Sequence, residues 1–367
     1  MSEMPGASNG LGLDGFSHIE LWVGNANQSA QYFRSLFGFR AIGYLGPEAG
    51  TADTVSYVLE QADIRLIVTA GLSPDGNIAR HVFRHGDGVR DIAFRVADAA
   101  EAYELADARG ALCLQSPETT ETDEGKTTTA VIGAFGDVVH SLISTTAQLP
   151  PGASPRIDST ARPIGLAAID HVVGNVGLGE MQRWTEYYQN VFGLTVFQLL
   201  EPDKFSGEYS AANSTVLWDG EGAIRVNINE PAEGPRQSQI DEFLTAYGGA
   251  GVQHVALRTS NLIESASEAH QRGLETLCFP DSYYDALEER SGLPPLDLGA
   301  IRREGLLVDQ DAHGYLVQTF TRALQNRPTL FIELIERQGA LGFGEGNAKD
   351  LFRAMERDQA ARGHLQP

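Results

Sequence analysis

The sequence predicts an α+β protein of two tandem domains, each an open, barrel-like mixed sheet assembled from paired β-α-β-β-β modules. The first observation is internal repetition, because three segments of the first half recur in the same order in the second half. These pairs are residues 16–25 with 169–176, 86–94 with 249–257, and 136–140 with 314–318. The second observation is a single stretch rich in proline, glycine and serine, which starts at residue 149.

This proline-rich stretch sets the predicted domain boundaries. It begins with the letters LPPGASP at residues 149–155, continues to about residue 163, and shows no hydrophobic period. We therefore expect an N-terminal domain over residues 1–148, a linker over residues 149–164, and a C-terminal domain over residues 165–367. A chain of 367 residues suits two domains of ordinary size.

In each half a short apolar strand, at residues 19–23 or 171–176, leads into an amphipathic helix. The apolar positions of these helices are Ala30, Tyr32, Phe33 and Leu36 in the first half and Trp184, Tyr187, Tyr188 and Val191 in the second. The helices are predicted to end at Gly38 and Gly193.

The later part of each half also shows the same pattern of elements. Alternating segments at residues 56–59 and 223–228 predict strands. A second helix is predicted after each Gly-Val motif, over residues 99–108 and 263–272. One such module cannot close a sheet, so the modules are expected to pair.

The C-terminus departs from the repeat and predicts a helix over residues 348–361. Its apolar residues Leu351, Phe352 and Met355 share one face, with Asn347 as the expected N-cap and Gly363 as the stop. The helix follows a glycine-rich segment that offers a hinge, so a lid over the neighbouring site is a reasonable hypothesis.

The overall charge and the cysteine content exclude several classes of function. A net charge of −22 argues against nucleic acid and anionic membranes as partners, because both require a basic surface. No run of 18 apolar residues predicts a membrane span, and the polar start of the sequence carries no secretory signal. Two cysteines in a chain of this length are typical of a reducing compartment, so a cytoplasmic location is expected.

The repeat also predicts a metal site in the second half only. The second half carries His171 on its first strand and His254 on the Gly-Val strand, whereas the first half has Asp91 where His254 stands. Iron that activates dioxygen is typically held by two imidazoles and one carboxylate on one face. Glu333 supplies the carboxylate, since it lies in an apolar strand where an unpaired charge would be costly, and Glu336 falls on the opposite face.

A rival site lies in the first half, where His85, Asp87 and His140 resemble the H-x-D…H pattern of jelly-roll 2-oxoglutarate oxygenases. The short motif is weak, no arginine of the kind that binds 2-oxoglutarate follows His140, and the repeat contradicts a jelly roll. The first half is therefore interpreted as a structural domain that has lost its site.

Five segments together resemble 4-hydroxyphenylpyruvate dioxygenase and its sister enzyme 4-hydroxymandelate synthase, both of the vicinal-oxygen-chelate superfamily. The segments are residues 249–257, 282–284, 318–321, 327–333 and 342–347. The resemblance covers nearly the whole chain and is densest in the second half. It implies two tandem vicinal-oxygen-chelate domains and an enzyme that is a dimer or tetramer.

The resemblance also implies the site. The iron ligands carry over onto His171, His254 and Glu333, and they would hold Fe(II). The substrates would be a small 2-oxo acid, which chelates the iron, and O2. The positions that match the family's substrate pocket are Ser214, Asn229, Gln239, Gln253, Gln318, Phe331, Phe343 and Asn347.

Two further pocket positions depart from the family pattern. Asn227 stands where the family usually has proline, and Ala348 stands where the dioxygenase has an aromatic residue and the synthase tends to have isoleucine. Despite these two departures, the resemblance as a whole favours conversion of 4-hydroxyphenylpyruvate to homogentisate in tyrosine catabolism. It leaves open 4-hydroxymandelate as the product or a bulkier arylpyruvate as the substrate. A further alternative is a metal-free binder, since the superfamily includes drug-sequestering proteins.

Overall fold

The computed structural model describes residues 10–200, 211–232, 237–290 and 292–363, and the strands of this part form two mixed, curled sheets. The first sheet contains β1 (Leu13–Trp22), β2 (Arg40–Leu45), β3 (Thr54–Gln61), β4 (Ile64–Gly71), β5 (Gly88–Val96), β6 (Cys113–Thr122), β7 (Gly125–Gly133), β8 (Val139–Thr145) and β9 (Ser154–Pro155). Its spatial order is β6-β7-β8-β5-β1-β4-β3-β2-β9.

The second sheet repeats this arrangement, and among the described residues it has no counterpart of β9. Its strands are β10 (Leu166–Asn175), β11 (Thr195–Leu200), β12 (Ala211–Trp218), β13 (Arg225–Ala232), β14 (Gly251–Thr259), β15 (Leu307–Gln310), β16 (Tyr315–Phe320) and β17 (Phe331–Gln338). Their order is β15-β16-β17-β14-β10-β13-β12-β11. Each sheet therefore holds two β-α-β-β-β modules, joined where β1 meets β5 and where β10 meets β14, as the repeat predicted.

Helices pack against both sheets. They are α1 (Ala26–Phe37), α2 (Asn77–His85), α3 (Ala99–Ala108), α4 (Met181–Tyr187), α5 (Gln239–Tyr247), α6 (Leu262–Gln271), α7 (Asp281–Glu288), α8 (Leu298–Arg303) and α9 (Glu345–Ala361). Among the described helices, none combines the length and the apolarity that a membrane span requires. The predicted helices of both modules are confirmed: α1 ends at Gly38, and α4 continues as a π-helical turn over Tyr188–Phe192 that ends at Gly193, with both glycines in a left-handed conformation.

One of the three repeat pairs was wrong. Residues 136–140 lead into β8, which pairs in parallel with β5, whereas residues 314–318 lie mostly on β16, which pairs antiparallel with β17. The counterpart of β8 is therefore β17. Both segments share a glycine that is followed, one residue later, by an apolar pair, and this similarity reflects the common chemistry of strand starts, not a common position.

The contacts between the two halves fix the position of β10 in the centre of the second sheet. Gly174 has no side chain, and a Cβ there would lie 2.3 Å from the ring of Phe135. The short strand β9, which falls in the predicted linker, pairs with β2 at the edge of the first sheet. The linker therefore continues the first sheet before the chain enters β10.

The C-terminal helix starts earlier than the sequence predicted. Helix α9 begins at Glu345 after Gly344, whose φ of 77° places it in the left-handed region, so Asn347 lies inside the first turn and is not the N-cap. Instead, Asn347 accepts a hydrogen bond from the hydroxyl of Tyr283 at 3.1 Å. The predicted apolar face and the stop at Gly363, where φ is 76°, are confirmed.

Candidate metal centre

Three adjacent strands bring the predicted metal ligands together on one face of the second sheet. His171 lies on β10 opposite Ala256 of β14, and Ala256 lies opposite Glu333 of β17. The Nε2 atoms of His171 and His254 lie 3.2 and 3.4 Å from the same Oε2 atom of Glu333. All three side chains are buried, and their ligand atoms fall within 4.8 Å of one another.

Both imidazoles are oriented from behind by an acceptor. Nδ1 of His171 lies 2.8 Å from Oδ1 of Asp170, and Nδ1 of His254 lies 3.0 Å from Oε1 of Gln253. A carboxylate or an amide oxygen only accepts, so each Nδ1 carries the proton and donates it. Each Nε2 lone pair is then left to face Glu333, which is the arrangement that metal-binding histidines commonly have.

Asp170 is itself fixed by cations. The guanidinium of Arg337 donates from Nε and Nη2 to its carboxylate at 2.8 Å, and Nη1 of Arg225 lies 3.6 Å away. Burial alone would raise the pKa of Asp170, but the hydrogen bond from His171 and the charge of Arg337 outweigh it and hold the pKa well below its usual range. Asp170 is therefore ionised, and it both orients and polarises the imidazole of His171.

The charges within the triad favour an anionic Glu333. Burial would raise its pKa, yet in the absence of a metal the protonated forms of the two facing histidines outweigh burial and lower the pKa of Glu333 to about 2, and Glu333 in turn raises the pKa of His171. Burial lowers the pKa of His254, and Glu333 opposes that shift only in part. One carboxylate and two imidazole nitrogens with fixed tautomers form a donor set that suits a divalent transition metal.

Two aromatic side chains border the triad, as the resemblance implied. The ring of Phe331 stacks on His254 with a centroid distance of 4.7 Å and an angle of 19°. The ring of Phe343 meets His171 edge to face at 4.9 Å, and the guanidinium of Arg337 lies over its other side at 5.2 Å. These rings shield the ligand atoms from water on two sides.

Polar side chains line the same face of the sheet. Strand pairing places Asn227 and Asn229 beside Val173 and Asn175 of β10, so that they share the face of His171, and Ser214 pairs with Asn229. Several buried polar atoms here have no hydrogen-bond partner among the described residues: Oδ1 of Asn227, Oδ1 of Asn229, Oε1 of Gln318 and Nδ2 of Asn347. Unpaired buried polar atoms are uncommon, and they indicate where a ligand completes the hydrogen bonding.

A cavity of about 260 Å³ opens between α9, α5 and the loop before β17. Its wall includes Gln239, Gln253 and Phe331, and the Nε2 of Gln253 donates to Oε1 of Gln239 at 3.1 Å. Helix α9 contributes Met355 and Gln359 to the wall. The remaining predicted pocket positions do not border this cavity: Ser214, Asn227, Asn229, Gln318, Phe343, Asn347 and Ala348.

Sequence reasoning missed the residues behind the triad. Asp170 directly precedes His171, and Arg337 follows Glu333 by four residues on the same face of β17. An aspartate and an arginine of opposite charge, each on a buried strand beside a predicted ligand, were the signal that could have identified this pair. Asn175, whose Oδ1 accepts from Nδ2 of Asn229 at 3.3 Å, was also missed.

Among its described residues, the first half has no ligand set at the positions equivalent to His171, His254 and Glu333. Nε2 of His18, the counterpart of His171, lies 3.9 Å from Oδ2 of Asp91, the counterpart of His254. The rival pattern is not assembled either. Asp87 accepts from the backbone N–H of Gly24 at 2.8 Å, whereas His140 is buried elsewhere and contacts the hydroxyl of Tyr188 at 2.8 Å.

Comparison with known proteins identifies relatives of the whole chain. Residues 7–147 match the family described as Hydroxyphenylpyruvate dioxygenase, HPPD, N-terminal, and residues 168–288 match the Glyoxalase/Bleomycin resistance protein/Dioxygenase superfamily. A 4-hydroxyphenylpyruvate dioxygenase of Xenopus tropicalis is 38% identical over 364 residues, which cover 95% of this chain and 92% of the relative. The enzyme of the same name from Dictyostelium discoideum is 37% identical over 367 residues, with 96% and 100% covered.

A solved structure shows the same architecture. A triple mutant of 4-hydroxymandelate synthase from Streptomyces coelicolor superimposes with a TM-score of 0.87 at 32% identity. The match covers 95% of this chain and 99% of that chain. The similarity therefore extends through both sheets and is not confined to the metal centre.

Proposed function

Since the chain belongs to the 4-hydroxyphenylpyruvate dioxygenase family, we propose that it is an Fe(II)-dependent dioxygenase that converts 4-hydroxyphenylpyruvate to homogentisate in tyrosine catabolism. The observation that carries the proposal is the convergence of His171, His254 and Glu333 on one buried point, with both Nδ1 atoms already engaged. A site with two histidines and one carboxylate leaves coordination positions for a chelating 2-oxo acid and for O2.

The family implies a metal ion, and the donor set fits iron. Bound Fe(II) would supply the dioxygen activation and oxidative decarboxylation that side chains alone do not provide. Asp170 and Gln253 hold the two imidazoles in the tautomer that a metal requires. Phe331 and Phe343 keep water away from the ligand atoms, which strengthens the electrostatic interactions within the site.

The unpaired amide atoms are proposed to bind the substrate. Oε1 of Gln318 and Oδ1 of Asn229 would accept hydrogen bonds, and Nδ2 of Asn347 would donate one. These groups are neutral, so the anionic carboxylate of the 2-oxo acid would be attracted by the metal and not by a surface cation. The rings of Phe331 and Phe343 would flank the aryl group.

We extend the proposal to the organisation of the chain. Residues 1–148 would serve as a structural domain that has lost the iron site, residues 149–164 as the linker, and residues 165–367 as the catalytic domain with α9 as its lid. The assignment of α9 as a lid is supported by its contribution to the cavity wall beside Gln253. We also propose a dimer or tetramer in the cytoplasm.

The decisive experiment is anaerobic loading with Fe(II), followed by 4-hydroxyphenylpyruvate and oxygen, with products separated by chromatography and mass. We expect one iron per chain and homogentisate as the product. Glu333→Gln should abolish iron binding and homogentisate formation, whereas Glu336→Gln, on the opposite face of the same strand, should retain iron binding and homogentisate formation. A wild-type protein that binds no iron would overturn the proposal and support a metal-free binder.

A second candidate product is 4-hydroxymandelate, which Ala348 leaves open because alanine matches neither the aromatic residue of the dioxygenase nor the isoleucine of the synthase. This position is buried in the first turn of α9, and the chain is similar in structure to a 4-hydroxymandelate synthase. Ring and benzylic attack differ by about an ångström of placement, and small displacements strongly affect rates. If wild type makes homogentisate, Ala348→Ile should raise the fraction of 4-hydroxymandelate; an unchanged product ratio would remove Ala348 as the determinant.

A further inference from the structure

A second cluster of potential metal ligands lies in the first half, at the junction with the second. His81 and His85 are one turn apart on α2, and Asp137 lies in the turn before β8. Nε2 of His85 is 2.9 Å from Oδ2 of Asp137, and Nδ1 of His81 is 3.8 Å from the same oxygen. Ligand atoms of the three residues all fall within 4.8 Å of one another. Histidines four residues apart on a helix share a face, which is the spacing used by helical zinc sites.

The hydrogen bonds of His85 leave room for a cation. Its Nδ1 lies 2.5 Å from the carbonyl oxygen of Tyr247, which only accepts, so this nitrogen carries a proton. In the neutral ring the lone pair on Nε2 then faces a carboxylate oxygen of Asp137, and two acceptors oppose each other. A cation between Nε2 and Oδ2 removes this conflict. The Nδ1–H···O=C contact is a common second interaction of a metal-binding histidine.

His81 gives an independent sign that a ligand is missing. The side chain is only 5% exposed, and neither of its ring nitrogens has a hydrogen-bond partner among the described residues. Leaving a buried polar group without a partner is costly, so both ring nitrogens indicate that a ligand completes the bonding of His81.

We propose that His81, His85 and Asp137 bind a divalent transition-metal ion of the Zn2+ class, at a site separate from the iron centre. Two imidazoles and a carboxylate suit Zn2+, whose bonds of about 2.0–2.2 Å place tetrahedral ligand atoms roughly 3.3 Å apart. The two measured distances to Oδ2 lie on either side of that spacing. The side chain of Asp137 is 45% exposed, so the ion has a path from solvent and a water molecule can complete its coordination.

The nearest cation does not occupy the carboxylate. Arg90 donates to the backbone carbonyl of Asp137 and places its guanidinium over the ring of Trp22 at 4.7 Å. Among the described residues, no ion pair joins Arg90 to the Asp137 carboxylate within 4.0 Å. The positive charge of Arg90 weakens cation binding nearby, so this site is expected to bind metal less tightly than the iron centre.

A bound ion would strengthen the junction between the two halves. Tyr247 ends α5, and Gly251, four residues later, starts the strand that carries His254. His85 contacts the Tyr247 carbonyl, and Arg84 donates to the carbonyl of Gly248 at 3.2 Å. The ion would therefore hold α2 against α5, which predicts a higher thermal midpoint in the presence of Zn2+.

The test uses the full chain with the iron centre removed by His254→Ala and Glu333→Ala. After equilibration with buffered Zn2+ and dialysis, metal content is measured by inductively coupled plasma mass spectrometry. We expect one zinc per chain, and none after the further change Asp137→Asn or His81→Phe. Asp137→Asn is conservative and half-exposed, so it keeps the test valid if His81→Phe does not fold.

The matched control is His313→Ala, since His313 is an exposed histidine outside both clusters. It should leave the zinc content at one. Zinc content that is zero before the further change, or that persists after Asp137→Asn in a folded protein, would overturn the proposal. Because two of the three iron ligands are absent from every variant, this outcome does not depend on the proposed dioxygenase activity.

Discussion

Ser141 holds the register position in the first sheet that Glu333 holds in the second. Ser141 comes two residues after Val139, which pairs with Asp91, and Glu333 comes two residues after Phe331, which pairs with His254. The hydroxyl of Ser141 donates to Oδ2 of Asp91 at 2.5 Å, and its backbone N–H donates to Oδ1 at 2.9 Å. In the first sheet, the hydrogen bonds between Ser141 and Asp91 therefore occupy the position at which the potential metal ligands converge in the second sheet.

This buried aspartate should make stability depend on pH. Burial raises the pKa of Asp91 to about 7; the hydrogen bonds from Ser141 oppose this shift, and the charge of Glu20 adds to it. The other ionisable neighbours are His18, which is neutral, and the cationic Arg90. The folded state therefore holds a proton that the unfolded chain releases above about pH 4. The contribution of Asp91 to stability therefore falls as pH rises from about 4 to 7, by an amount on the order of 4 kcal/mol.

The measurement is the thermal midpoint of wild type and Asp91→Asn between pH 5 and pH 8. The asparagine still accepts from Ser141, so the variant should gain stability relative to wild type as pH rises. Asp158→Asn is the control, because the hydrogen bond from Arg34 holds the pKa of Asp158 well below its usual range. Its effect should be constant over this range. A difference between Asp91→Asn and wild type that does not change with pH would contradict the prediction.

Asp170 should control metal affinity without being a ligand. In Asp170→Asn the amide oxygen still accepts from His171, but the negative charge that polarises the ring is lost, and Arg337 and Arg225 lose their partner. We expect Fe(II) affinity, measured by anaerobic titration, to fall about 10–100-fold. The thermal midpoint should also fall, since breaking a buried ion pair is strongly destabilising.

The control for this prediction is Asp311→Asn, which removes a carboxylate that accepts backbone N–H groups at Leu341 and Gly342. It should leave Fe(II) affinity within a factor of two, because in the described structure Asp311 bonds to neither His171 nor His254. Equal affinities in Asp170→Asn and wild type would show that the carboxylate does not act through His171.

Gly344 is expected to be required for the pocket and not only for the start of α9. A Cβ at this position would lie 2.5 Å from Oε1 of Gln318, whereas a Cβ at Gly363 would meet nothing within 4 Å. Both glycines have φ near 77°, so alanine costs each about 1–2 kcal/mol of backbone strain. Gly344→Ala should in addition displace Gln318 and raise KM several-fold, and Gly363→Ala should leave KM unchanged. Equal KM values in the two variants would contradict this.

The end of α9 is held to α5 by a bidentate ion pair. The Nη1 and Nη2 atoms of Arg362 donate to the two carboxylate oxygens of Glu242 at 2.8 and 3.1 Å. In Arg362→Gln we expect the amides of α9 to exchange with deuterium about ten-fold faster, because charged hydrogen bonds contribute about 1.5–3 kcal/mol. Arg353→Gln, which breaks only an i,i+3 contact with Asp350, should change exchange little. Unchanged exchange in Arg362→Gln would show that the pair does not hold the helix closed.

The sequence was sufficient for the architecture and the convergence of the triad because both depend on repetition and strand alternation. His171, His254 and Glu333 meet since β10, β14 and β17 are neighbours, and this order follows from the duplicated modules. The third repeat pair was wrong because a glycine before an apolar pair occurs at many strand starts. The N-cap prediction for Asn347 was wrong because Gly344 alone can adopt the left-handed conformation that starts α9.

Long-range contacts account for what the sequence did not predict. The spacing of His81 and His85 was visible, but their neighbour Asp137 is brought to them only by the turn before β8. Asp170 and Arg337 are 167 residues apart, and only the sheet order makes them partners. Periodicity identifies which face a residue occupies, whereas the identity of its neighbour depends on the whole topology.

The loop before β17 is anchored on the first half of the chain. The side-chain amide of Gln325 accepts from the backbone N–H of Asp87 at 3.0 Å and donates to its carbonyl at 2.7 Å. Arg327 donates to the carbonyls of Phe83 and Arg84. The first half therefore helps to shape the cavity wall through these contacts, although it has no ligand set at the positions equivalent to the metal triad among its described residues. Recombining the halves of two relatives should consequently succeed only when these backbone contacts are preserved.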